Sequence, residues 1–177
     1  MEWRLAQDFI FVKRNKFMAS ELRDSAKRVQ DFLLSKGFSF NVKELSSSTR
    51  TAQEAADSIG CTVHQIAKSL VFREKETDLP ILVIASGSHR VDIIKIEKLT
   101  GLKLGRADGE YVKERVGYAI GGVPPVGHTE PLETILDPYL KKYEVIWTAA
   151  GTPFAVFKLK PKDLEPLTNG KWVELSE

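Results

Sequence analysis

Apolar residues recur with helical spacing from Leu22 through Ala26, Val29, Phe32 and Leu33, and Gly37 stands where a left-handed residue would stop the helix. Ser20 is placed to cap its start. Phe38, Phe40 and Val42 then alternate with polar residues and predict a strand. Thr51 with Glu54, and Thr62 with Gln65, have capping-box spacing. They predict a helix over 52–59 ended by Gly60, then a helical turn leading into a strand that starts near Lys68. The charged stretch 73–78 predicts a hairpin loop. Pro80 to Ala85 is apolar throughout, as a strand buried on both faces requires. Asp92 and Asp108 are placed to cap helices ending at Gly101 and Arg115, with a short strand over 102–104 between them. Further strands are predicted over 134–136, 144–147, 154–159 and 171–175, with a helical turn at 138–142 and a proline-started helix over 161–167. Short helices between strands that lie close enough for hairpins imply an α+β fold, with a mixed, mostly antiparallel central sheet flanked by short helices.

One stretch fits neither period. Gly117 to His128 holds so many glycines and prolines that it can be neither helix nor ladder strand. It predicts a shaped loop that presents backbone N–H and C=O groups, suited to a polar ligand group that side chains would crowd.

The length of 177 residues and 42% hydrophobic content suit one domain with a single core, over 18–177, preceded by an N-terminal extension over 1–17. A net charge of +2 excludes a protein that grips nucleic acid chiefly by a heavily charged surface, so a nucleic-acid partner would meet a local patch. The lone Cys61 forbids an internal disulfide and is expected to be buried and inert. Charges interrupt the first apolar residues, and no run is long enough to span a bilayer; the expectation is a cytoplasmic protein, monomeric or weakly dimeric, with no membrane partner.

The motif chemistry is mostly negative. There is no phosphate-binding loop, dinucleotide fingerprint or nucleophile elbow. His64, His89 and His128 are scattered, so neither a metal nor a cofactor is expected. Ser86 lies close to His89 in sequence, but such proximity rarely gives catalytic geometry. Lys68, among Ile66, Ala67, Leu70 and Val71, would project its ammonium from apolar surroundings, either as a phosphate ligand or as a lysine whose stem merely covers apolar surface. His128 could serve as acid/base, pocket wall or turn residue, and Asp92 as a helix cap.

The order Lys68 in Ile66-Ala67-Lys68-Ser69-Leu70-Val71, then Ala85-Ser86-Gly87, then Val91 to Ile96, then Gly121 to Gly127, then Ala149 to Pro153 resembles the YbaK/ProX family of aminoacyl-tRNA editing domains over about residues 18–177. Gly121 to Pro125 matches its G-x-x-x-P loop, and Gly151-Thr152 its late glycine turn. The resemblance implies hydrolysis of the ester joining a wrong amino acid to the 3′ adenosine of tRNA, with alanine, serine or cysteine on proline tRNA as the family-level substrate. Misacylated tRNA, and a synthetase, are the implied partners. Lys68 would hold the terminal phosphate and Gly121 would lead the catalytic backbone, helped in some members by the adenosine 2′-hydroxyl. Ser86, Gly87, Gly122, Val123, Pro124, Pro125, Gly127, His128, Gly151 and Thr152 would contact substrate. An aminoacyl ester is already activated, so a positioned water and oxyanion stabilisation suffice without a nucleophilic triad. The alternative is a non-catalytic module of the same fold that binds tRNA ends, nucleotides or a synthetase.

Overall fold

The computed structural model describes residues 22–177, so the expected extension over 1–17 and the cap at Ser20 lie outside the described residues. The first helix, α1 (Asp24–Ser35), buries Ala26, Val29 and Leu33, and Gly37 follows in the left-handed region with φ of 81°. The next stretch departs from expectation. Phe38 to Val42 forms no strand; only β1 (Lys43–Glu44) does. The cause is Gln30 of α1, whose side-chain amide donates to Phe40 O at 2.9 Å while its carbonyl accepts the Val42 N–H at 2.8 Å. The alternation of Phe38 and Phe40 reflects ring stacking, with Phe40 also lying 5.8 Å from the Phe157 ring.

The capping boxes are present: Thr51 and Glu54 open α2 (Ala52–Ile59), which Gly60 ends, and Thr62 with Gln65 opens a 3-10 turn over Val63–Gln65. That turn runs into β2 (Ile66–Glu74), so Lys68 is the third residue of its strand. After β3 (Pro80–Ser86), buried at every position, come α3 (Ile93–Thr100), β4 (Leu104–Arg106) and α4 (Gly109–Val116). Asp92 and Asp108 cap the two helices. Beyond the Gly/Pro segment lie β5 (Glu133–Leu136), a 3-10 turn at Pro138–Lys142, β6 (Ile146–Ala149), β7 (Ala155–Leu159), α5 (Leu164–Thr168) and β8 (Lys171–Trp172). Both β4 and β6 start two residues later than their sequence pattern suggests.

The strands form one sheet in the order β1-β7-β6-β2-β3-β5-β8, with β4 also on β2, and four of the seven pairings are antiparallel. One core lies under α1, α4 and the Gly/Pro segment, around Leu82, Ile84, Phe157 and Val123; a second lies under α3, around Ile81, Val83 and Ala85. Burying each leucine, isoleucine or valine side chain of β3 contributes about 1.5–3 kcal/mol relative to exposure.

One edge of β2 is shared by two strands. β6 registers against Ile66 and Ala67, whereas β4 registers against Phe72 to Glu74. Among the described residues no strand pairs with that edge between the two, at Lys68 to Val71, which leaves a gap. Ile66 O accepts from Gly87 N on the β3 side and Lys75 N donates to Lys103 O on the β4 side, so the alternation turns the peptide groups of Ser69 toward the gap. No helix of the described residues is long and apolar enough to cross a membrane.

Candidate functional site

A cavity of about 890 Å³ occupies the gap in the sheet. Ile66 to Phe72 of β2 form its floor, Trp147 to Ala149 of β6 and Leu104 to Arg106 of β4 its two sides. Gly121 and Val123 of the Gly/Pro segment close it from one face, and Gly87 and Ile93 line it from the other. Its charged lining residues among those described are Lys68, Arg50 and Arg106, and none of the described lining residues is a carboxylate.

Lys68 reaches from the strand toward the exit of β3, where its ammonium donates to Gly87 O at 3.4 Å and to His89 O. Two of its three donors are thereby directed, which leaves one for a ligand. Burial pushes its pKa down, opposed by the nearby charge of Asp137 and reinforced by Arg90. Gly87 is required for close approach, since a Cβ there would lie 2.4 Å from Val63 O.

The Lys68 anchor is held by a residue that sequence analysis does not single out, Asp137. Asp137 is 1% exposed. Its carboxylate accepts the N–H groups of Ser86 at 3.0 Å and Tyr139 at 2.9 Å, and pairs with His89 Nδ1 at 2.7 Å. The His89 ring makes no bond to the Ser86 hydroxyl; only the backbone N–H of His89 reaches that residue, donating to Ser86 O at 2.9 Å. The Ser86 hydroxyl donates to His64 O at 2.9 Å and lies 3.0 Å from the Ser88 hydroxyl, so Ser86 is a buried knot of the 86–90 loop rather than a lining residue. The only advance signal for Asp137 was its place before Pro138, which reads as a helix cap.

Gly117 to His128 is irregular backbone, as its composition requires, but half of it, Tyr118 and residues 122–126, is buried. Gly122, Pro124 and Pro125 are buried behind the cavity wall, and Gly127 and His128 lie further back. His128 Nε2 donates to Pro124 O at 2.7 Å beside the edge of the Tyr118 ring, so it pins the loop. Burial pushes the His128 pKa down, and the bond to Pro124 partly opposes this. Gly151 adopts φ of 94° and donates its N–H to Gly122 O at 2.9 Å, tying the β6–β7 hairpin to the loop. Thr152 accepts the Phe154 N–H at 3.2 Å and shapes that hairpin. Of the residues expected at the site, Lys68, Gly87, Gly121 and Val123 meet in the cavity; the others stand behind its walls. Cys61 is half-buried beside Ala55 and Ile66, and burial raises its thiol pKa.

A sequence profile described as the aminoacyl-tRNA editing domain matches residues 46–167. The uncharacterized protein YwhH of Bacillus subtilis is 35% identical over 126 residues, 71% of this chain and 80% of that protein. The proposed Cys-tRNA(Pro)/Cys-tRNA(Cys) deacylase EbsC of Enterococcus faecalis is 28% identical over 129 residues, covering 77% of its length. Among solved structures, a proposed trans-editing enzyme for prolyl tRNA synthetase superposes with a TM-score of 0.83 at 46% identity, over 89% of this chain and 99% of that one.

Proposed function

This chain belongs to the aminoacyl-tRNA editing domain family, and from that premise we propose that it is a free-standing deacylase that hydrolyses the ester of misacylated tRNA. The observation that carries the reading is the placement of the Lys68 ammonium and the Gly121 backbone on the wall of one cavity. Its volume of about 890 Å³ has room for a terminal adenosine together with a small amino acid.

The remaining donor of Lys68 suits a terminal phosphate, and Arg50 and Arg106 offer charge to the backbone that leads away from it. The Gly121–Val123 backbone orients the aminoacyl group. Water adds to the ester carbonyl and the bond to the ribose oxygen breaks. The ribose oxygen takes one proton of the water, the other passes to solvent, and the amino acid leaves as a carboxylate. The protein contributes position and oxyanion stabilisation, which together account for several powers of ten in rate. Kinship with the enterococcal and prolyl-tRNA-synthetase-associated proteins supports a small amino acid on proline tRNA as substrate.

The test is release of free amino acid from a panel of misacylated tRNAs. Turnover of at least one member is expected. Binding of charged tRNA without release of any amino acid would move the chain to the non-catalytic reading.

A further inference from the structure

Two buried side-chain oxygens have no hydrogen-bond partner among the described residues, Ser69 Oγ and Thr148 Oγ1, and both belong to residues that line the cavity. They share one face of the sheet. Thr148 registers with Ala67 of β2 and Phe157 of β7, Ser69 with Ile84 of β3. Ala67, Ile84 and Phe157 pack in the same core as Val123 of the overlying loop. The two hydroxyls therefore sit on the loop side of the gap, where the aminoacyl group is assigned, whereas Lys68 registers with Ala85 of the opposite core. Ser69 also turns its peptide N–H and C=O into the gap, where neither β6 nor β4 registers against it.

A buried polar group left unpaired carries a penalty. Two of them on one face of the sheet, lining one cavity, mark a surface that a ligand completes. The group to be received is not a side-chain ammonium, because the charged lining residues are all cations and it would meet like charge. A hydroxyl both donates and accepts and can bridge Ser69 and Thr148, whose own oxygens are not bonded to one another; a methyl group leaves both unpaired.

We propose that Ser69 and Thr148 form a specificity floor that selects an amino acid whose β-carbon carries a hydroxyl over the same skeleton without one. This rests on the deacylase reading above. An apolar pocket separates substrates differing by one small group by roughly 10- to 200-fold, whereas a site built to hydrogen-bond a hydroxyl rejects the analogue lacking it far more strongly.

The test compares seryl and alanyl esters of one tRNA in single-turnover reactions with wild type, Ser69→Ala, Thr148→Val and the double variant. Wild type should favour the seryl ester by more than about 100-fold, and the double variant should bring the ratio to within about 10-fold. Thermal melting checks the fold: Thr148→Val should melt at or above the wild-type temperature, because it removes an unpaired hydroxyl and keeps the shape. Should the double variant misfold, each single variant must still lower the ratio. Equal hydrolysis of both esters by wild type, or a ratio that survives the substitutions, overturns the floor while leaving a deacylase. Absence of release from every charged tRNA overturns the deacylase reading, and the floor with it.

Discussion

His89 Nδ1 lies 2.7 Å from Asp137 Oδ2, and the backbone oxygen of the same histidine receives the Lys68 ammonium. One buried carboxylate thus fixes the loop that aims the lysine and supplies the charge that favours its protonated form. Asp137→Asn keeps the size but cannot accept all three of the present donors. Deacylation should fall by up to about 100-fold through misplacement of Lys68. Its alkaline limb should also move to lower pH, because burial then acts on the ammonium with less opposition. A pH profile of kcat/KM checks this; lower activity with an unmoved limb would show that Asp137 only stabilises the fold.

Lys68→Ala should reduce deacylation by about 100-fold or more, on the scale of losing one preorganised donor. The fold should survive, since no core side chain is removed; circular dichroism and a melting temperature within a few degrees of wild type check it. Wild-type turnover by this variant would remove Lys68 from the mechanism.

Gly121→Ala meets two obstacles. Gly121 has φ of 89°, and an added Cβ would stand 2.9 Å from Arg50 Cγ. The left-handed backbone costs about 1–2 kcal/mol for an L side chain, whereas the arginine stem can swing aside. Stability should therefore drop by about that amount, with activity falling for every aminoacyl group. Comparing Arg50→Ala alone with the double variant Arg50→Ala, Gly121→Ala separates the causes, and a double variant as active as Arg50→Ala alone would assign the defect to the contact.

His128 makes stability depend on pH. Its pKa is lowered in the folded state by burial, so the unfolded chain binds the proton more readily. Its contribution is full above the unfolded value of about 6.5 and is lost as pH falls from there toward the lowered folded value. His128→Gln keeps a donor for Pro124 O and does not titrate. Between pH 7.5 and 5.5 the variant should therefore lose less melting temperature than wild type, and an equal loss in the two proteins would disprove the assignment.

The features legible in the sequence are those that local chemistry decides. Thr51 and Glu54 cap a helix across three residues, and Gly121 and Gly151 need no partner to demand unusual backbone. Lys68 was legible as a cation in apolar surroundings. What could not be read depends on partners far along the chain: His89 and Asp137 are 48 residues apart. The gap beside Ser69 exists only because β6 and β4, both distant in sequence, stop short of one another on β2. Phe38 to Val42 misled for a related reason, because an alternating pattern reports which side chains are buried and Gln30 decided where the backbone bonds went. Several residues of the Gly/Pro segment were expected at the ligand, and the same rigidity that suggested this makes them the packed backing of the wall.

An unpaired strand edge is ordinarily a template on which another chain can add a strand, and so a route to aggregation. Here the open stretch of β2 runs only from Lys68 to Val71, with β6 seated before it and β4 after it. A foreign strand would need a longer run of free positions than that to gain a stable ladder, and the two flanking strands would block its ends. The protein can therefore keep peptide groups exposed to a small molecule while denying them to other polypeptides. Mutations that loosen β4, by contrast, lengthen the open edge as they remove one side of the cavity, so self-association should accompany their loss of catalysis.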